Sequence, residues 1–126
     1  MRTVPFHSPD QTRNTNPVTI ITGPPASGKT SKAIQMTEGK NAYCLQGHDI
    51  LSDFWTSRLT EETEIILLDD VSRKDCLKLL ITAENLIVNR KGTDSFEIKR
   101  PELVITTNCF TDADFTPRPY LKFINL

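Results

Sequence analysis

The residues best equipped for chemistry lie together in Gly23-Pro24-Pro25-Ala26-Ser27-Gly28-Lys29-Thr30, followed by Ser31. Two glycines with four residues between them, then lysine and threonine, match G-x-x-x-x-G-K-[ST], a loop whose backbone N–H groups cradle phosphates. Gly23 and Gly28 take backbone angles that a Cβ would hinder. Lys29 is placed to reach the β- and γ-phosphates of a nucleotide, and the Thr30 hydroxyl to ligate Mg²⁺. The chemistry implied is therefore the binding of ATP and Mg²⁺. Hydrolysis needs more: the metal must be held, and a water must be aimed at the terminal phosphorus.

Two further sets of side chains supply those functions. Asp69 and Asp70 end the almost wholly apolar run 64–68, and Asn108 closes the β-branched run 103–107. Asp69 is the natural Mg²⁺ partner. Asp70 is the candidate for orienting or deprotonating the attacking water, and Asn108 for hydrogen-bonding the γ-phosphate or that water. The plainer alternatives are a solvated acidic pair at a strand exit and an asparagine that caps a turn.

These groups converge only if the elements carrying them share one sheet edge. Val18-Thr19-Ile20-Ile21-Thr22 reads as a buried strand before the loop, and 31–36 as a helix after it, closed near Gly39. Such a strand, glycine loop and helix aim a helix N-terminus at a polyphosphate. A second strand is expected over 41–45. The uninterrupted apolar run 64–68 implies burial on both faces, as in a parallel sheet. Further strands are expected over 103–107 and 120–126, which gives an α/β sandwich with a mainly parallel five-stranded sheet. Ligands bind such sheets at the carboxyl ends of the strands.

Other segments are less directly tied to the chemistry. Asp49 caps an expected helix from Ile50, with Ile50, Leu51, Phe54, Trp55 and Leu59 as its apolar stripe. Phe54 and Trp55 are expected in the core. A third helix is expected over 75–82. Strands over 86–89 and 95–98 flank the turn-rich Arg90-Lys91-Gly92-Thr93-Asp94, a β-hairpin. Arg90, Lys91, Lys99 and Arg100 outweigh Asp94 and Glu97 there. Such a tip can pair with nucleic-acid phosphates, or its charges can simply keep an edge from pairing with neighbours. Composition does not choose between these.

Bulk properties narrow the class. With 126 residues the chain suits one domain, 18–126, preceded by a polar, proline-containing arm over 1–17 that reads as a linker. Fifteen basic and sixteen acidic residues leave a net charge of −1, so any nucleic-acid binding must come from a local patch. Cys44, Cys76 and Cys109 lack metal-ligand spacing and are expected as buried, reduced thiols in the cytoplasm or a host nucleus. No run is long enough for a membrane span and no secretion signal is visible.

The ordered set Ser52-Asp53-Phe54-Trp55, Ile65-Ile66-Leu67-Leu68-Asp69-Asp70, Asn89-Arg90-Lys91-Gly92, Lys99-Arg100-Pro101 and Val104-Ile105-Thr106-Thr107-Asn108 resembles the superfamily 3 helicases, replication motors of small DNA viruses with relatives in RNA viruses, phages and plasmids. The pattern is nearest to the papillomavirus replication helicase and covers about 18–126. The resemblance implies an AAA-type P-loop ATPase with its hairpin inserted before the sensor strand, assembling into a hexameric ring with ATP between subunits. It implies Lys29 and Thr30 as the Walker A pair, Asp69 and Asp70 as Walker B, and Asn108 as the polar sensor. Arg90 and Lys91 would lie on a hairpin gripping single-stranded DNA, with RNA as the alternative. Three features depart from the pattern. Gly92 stands where the papillomavirus helicase has histidine, the helix between Asp70 and Leu86 is shorter, and Arg118 is the only arginine in the stretch where the family has an arginine finger. The competing expectation is a nucleotide-binding adaptor that joins rings of a longer replication protein with little turnover of its own. A P-loop small-molecule kinase fits less well, because no basic lid segment is evident.

Overall fold

A computed structural model of the chain describes residues 16–52, 55–90, 92 and 94–126, and of Asp112 the backbone only. Five strands form one sheet: β1 (Val18–Thr22), β2 (Ala42–Gln46), β3 (Ile65–Asp69), β6 (Glu102–Thr107) and β7 (Leu121–Asn125). Between them run helix α1 (Lys29–Met36), helix α2 (Lys74–Thr82) and the strands β4 (Asn85–Val88) and β5 (Phe96–Lys99), with single 3₁₀ turns at Gly47–Leu51 and Asp112–Asp114. The sheet order is β2-β3-β6-β1-β7, and every pairing in it is parallel. β4 and β5 pair antiparallel as a separate two-stranded sheet. The mainly parallel five-stranded sheet and the hairpin ahead of β6 are as the sequence implied.

Alternate residues of each strand point to opposite faces, and the two faces carry different cores. Ile20, Ile66, Leu68, Leu103 and Ile105 pack with Leu77, Leu80 and Ile81 of α2 and with Leu86, Val88 and Ile98 of the hairpin. Ile21, Ile65, Leu67 and Val104 pack on the other side against Ala33 of α1. A parallel sheet needs both faces covered, which is why these strands lack polar alternation. The α1 face is covered thinly: α1 has eight residues, and its Ile34 is 53% exposed.

The register lines up the carboxyl ends. Thr22 pairs with both Thr107 and Asn125, and Gln46 with Asp69. Because β6 lies between β1 and β3, its exit stands between the glycine loop and the acidic pair.

Three expectations need correction. The helix from Ile50 is instead one 3₁₀ turn, Gly47–Leu51, followed by irregular chain from Trp55 onward. Asp49 does not cap a helix from outside. It sits inside a capping box, its carboxylate accepting the Gln46 N–H at 3.0 Å. The apolar spacing arose because Trp55 and Leu59 reach the core from separate turns, while Leu51 stays half-exposed. Asp53 and Phe54 lie outside the described residues. The thiols are not buried: Cys44 and Cys109 are exposed and Cys76 is partly so. Cys44 is on edge strand β2, facing the thinly covered side.

Arg100 is the third. Rather than adding charge to the hairpin surface, it is 1% exposed. Its guanidinium donates to the carbonyls of Ala83 (2.9 Å), Pro101 (2.8 Å) and Asn16 (2.9 Å). Burial pulls its pKa below the ordinary arginine value. Asn16 answers with Nδ2 on the Arg100 carbonyl at 2.8 Å, and Pro17 accepts the Leu103 N–H. The last two residues assigned to the arm are thus bonded to the fold.

Candidate functional site

The glycine loop leaves β1 at Gly23 and turns into α1 through two left-handed residues, Ala26 (φ 63°) and Gly28 (φ 90°). Left-handed residues placed between right-handed ones draw consecutive N–H groups into an anion-binding concavity. Gly28 is the N-cap of α1, which has no acidic residue in its first turn, so the positive end of its dipole is uncompensated. At Gly23 the requirement is space. A Cβ there would lie 2.9 Å from Ser27 Oγ and 3.1 Å from the Leu126 carbonyl.

A pocket of about 240 Å³ lies along Ala26–Ser31. Lys29 spans its loop, Nζ donating to the carbonyls of Gly23 (3.0 Å) and Pro24 (2.7 Å). The Ser27 hydroxyl oxygen is enclosed yet has no hydrogen-bond partner among the described residues. An orphaned buried hydroxyl beside an ammonium that only loop carbonyls satisfy is what a bound polyphosphate would complete. The residues present therefore fit a nucleotide.

The metal side fits as well. Thr30 Oγ1 donates to Asp69 Oδ1 at 2.9 Å. The same oxygen accepts the Thr106 hydroxyl at 2.7 Å, and Thr106 Oγ1 accepts the Asp70 N–H at 2.8 Å. Asp70 is exposed and holds φ 64°, a left-handed angle that fixes the direction in which it leaves the strand. Val71 N–H donates to the Thr106 carbonyl at 2.9 Å, and Thr107 Oγ1 donates to the Val71 carbonyl at 2.7 Å. The β3 exit is thus stitched to β6 by four hydrogen bonds besides the sheet ladder. Thr30 and Asp69 are the oxygen donors that would hold Mg²⁺, a cation that takes few carboxylates and retains water.

Sequence reasoning assigned no function to Thr106 or to Gly47. Thr106 is the side chain that orients both acidic residues. Its signal was the Thr-Thr pair ahead of Asn108. Gly47 opens the 3₁₀ turn Gly47–Leu51. A Cβ there would come within 2.5 Å of the Asp70 carbonyl oxygen and 2.7 Å of Val71 Cα. Only a three-dimensional view brings that approach to light.

The remaining site residues are dispersed. Asn108 follows β6 and is exposed at the same sheet edge. Pro24 and Pro25 form the loop's exposed outer wall, and Ser31 lines the pocket at the first turn of α1. Arg118 is exposed three residues before β7, at the amino edge of the sheet, where it lines a notch of about 90 Å³ with Lys78 and Phe115. Five residues of β7, at about 3.3 Å each, separate that edge from the loop. Arg118 cannot reach the cradle of its own chain.

Arg90 is half-buried, with Nε and Nη2 on the carbonyls of Ser57 and Leu59 (2.8 Å each) and its guanidinium 4.9 Å from the Phe96 ring centre. It braces the hairpin against the 55–59 segment. Lys91 and Thr93 lie outside the described residues, while Lys99 is exposed on β5. Among the described residues no cluster of three or more His, Cys, Asp or Glu side chains could hold a metal ion, and no helix is long and apolar enough to cross a membrane.

No family profile matches the chain, and no curated protein matches its sequence. Solved structures do resemble it. Two apo structures of the NrS-1 C-terminal region superpose with a TM-score of 0.57, at 20% and 21% identity, over 86% of this chain. A third superposes at 0.55 with 19% identity. The chain spans 28–29% of the length of these structures. At such identities the likeness is one of fold.

Proposed function

We propose that the chain is the ATP-hydrolysing unit of a superfamily 3 helicase-type motor, acting on single-stranded nucleic acid in the replication of a virus or mobile element. The observation that carries this reading is the meeting of Thr30 and Asp69 at 2.9 Å. It joins a phosphate loop to a strand-end carboxylate across an intervening strand whose own exit carries Asn108. The order of motifs along the chain supports the helicase type. Fold alone does not determine activity, and the site carries the weight.

ATP with Mg²⁺ supplies the phosphoanhydride to be cleaved and the charge that the metal neutralises. The chain's residues do the rest. Lys29 leaves the Gly23 and Pro24 carbonyls to neutralise the β- and γ-phosphate oxygens. Ser27, Gly28 and the start of α1 offer hydroxyl and N–H donors. Thr30 and Asp69 hold the metal, and Thr106 keeps the Asp69 carboxylate aimed. Asp70, at the mouth of the site, takes the proton of the attacking water or orients it, and Asn108 fixes that water's position. Arg118, on the opposite edge of the sheet, would act at the site of a neighbouring copy. Supplied there, an arginine finger is worth roughly 10³–10⁵ in rate, so assembly would set turnover.

The same placement of Arg118 favours one second reading, a nucleotide-binding adaptor with little turnover of its own that joins rings of a longer homologue. Hydrolysis measured with and without single-stranded DNA, across protein concentration and salt, distinguishes the two. The motor reading predicts turnover that rises with assembly, is stimulated by DNA less strongly at high salt, and is abolished in Lys29→Ala. A monomer with a DNA-independent rate at every concentration would overturn it.

A further inference from the structure

A second groove adjoins the phosphate pocket on its metal side. It opens between α1 and β2, encloses about 320 Å³, and is lined among others by Thr30, Cys44, Gln46, Asp49, Arg58 and Asp69. Thr30 and Asp69 mark the end of the site where a metal would be held beside the terminal phosphates of a nucleotide. The groove therefore extends from the terminal-phosphate end. The opposite end of the loop, at Ser27 and Ser31, opens instead onto a separate cleft beside Leu126.

Arg58 is the one cation lining the groove. Its side chain is exposed, and its guanidinium carbon lies 5.2 Å from the centre of the Tyr43 ring. Tyr43 is held in turn by its hydroxyl on the Trp55 carbonyl at 2.6 Å. Among the described residues the Arg58 guanidinium makes no hydrogen bond or ion pair, so its donors face the groove and water. The two carboxylates lining the groove have other partners: Asp49 accepts the Gln46 N–H at 3.0 Å and lies 3.4 Å from His48 Nε2, and Asp69 accepts the Thr30 and Thr106 hydroxyls. A guanidinium resting on an aromatic face is positioned without being consumed, because the ring leaves its in-plane N–H donors open.

We propose that Arg58 is a terminal-phosphate sensor acting within its own chain: it leaves the Tyr43 ring to bind the γ-phosphate of a nucleoside triphosphate lying in the groove, and has nothing to bind when a diphosphate is present. This rests on the nucleotide reading of the site and adds the means by which the protein tells ATP from ADP. The geometry gives the selectivity its direction. The loop's N–H groups contact phosphates that both nucleotides possess and Lys29 spans the last shared phosphate and the terminal one, whereas the groove is open to the terminal phosphate alone.

The test uses the full chain and two independent readouts. The first is equilibrium binding of fluorescent non-hydrolysable ATP and of fluorescent ADP, each with Mg²⁺, to the wild type and Arg58→Ala. The expected result is at least a tenfold loss of triphosphate affinity, equivalent to about 1.4 kcal/mol, with diphosphate affinity within about twofold. The second needs no substitution: the rate of maleimide labelling at Cys44, resolved by peptide mass spectrometry. The triphosphate analogue should slow labelling several-fold and ADP should not. Equal losses for both nucleotides in Arg58→Ala, or equal labelling rates with both, would overturn the proposal while leaving the nucleotide site standing. A wild type that binds neither nucleotide would overturn the site itself.

Discussion

The hydroxyl of Thr106 lies 2.7 Å from Oδ1 of Asp69 and carries the orientation of the acidic pair from one strand to the next. Thr106 is 1% exposed and also receives the Asp70 N–H. Thr106→Val keeps the shape and removes both bonds, leaving the Asp70 N–H unpaired. The expected loss is about 1–3 kcal/mol of stability, read by urea denaturation. The folded variant should also need more Mg²⁺ for nucleotide binding. A variant as stable and as metal-responsive as the wild type would show that Asp69 is held by other means.

Gly47 approaches the other side of the same turn. Gly47→Ala places a methyl group 2.5 Å from a backbone oxygen that has no rotamer to adopt. Accommodating it should cost about 1–3 kcal/mol and move Asp70 away from its left-handed conformation. Thermal melting reads the first effect. Reduced hydrolysis at saturating ATP reads the second.

Arg100 fastens the base of the hairpin to the end of α2 and to Asn16. Arg100→Met leaves three carbonyls without their donors, which should cost on the order of 3 kcal/mol or more. Denaturant midpoints test this. The account expects loss of the whole fold's stability, not a selective loss of nucleic-acid affinity. An Arg100→Met protein that is fully stable but fails to bind DNA would return this residue to the hairpin surface.

Asp114 ties the turn before β7 to the start of α2. Its pKa is lowered from 3.8, chiefly by the Thr111 N–H it accepts and then by Lys74 at 3.1 Å. A carboxylate with a depressed folded pKa stabilises above its unfolded value, and that stability is lost as pH falls through the folded value. Asp114→Asn should therefore melt below the wild type at neutral pH, with the gap narrowing as pH falls toward 3.8 and closing below it. Melts across that range check it. A gap unchanged well below that pH would contradict the assignment.

Much of this arrangement was legible in the amino-acid order. The strands Val18–Thr22, Ile65–Asp69 and Glu102–Thr107 are buried on both faces over most of their length, so each announces itself as an apolar run, and their exits carry the loop, the acidic pair and Asn108. What failed was local periodicity without tertiary knowledge. Around Ile50 to Leu59, apolar spacing mimicked a helix because separate turns dip into one core. Arg90 and Arg100 looked like surface charge because nothing in a sequence shows that backbone carbonyls at Ser57, Leu59, Ala83 and Asn16 converge on them. Cys44 misled because an edge strand under a short helix leaves one face open.

The most direct test of the central claim is equilibrium binding of ATP to the full chain as Mg²⁺ is titrated, comparing wild type, Lys29→Ala and Asp69→Asn. The account predicts saturable binding that Mg²⁺ tightens in the wild type, a weakened and nearly metal-insensitive Asp69→Asn, and no measurable binding in Lys29→Ala. Wild-type binding that equals that of Lys29→Ala, or that ignores Mg²⁺, would contradict it.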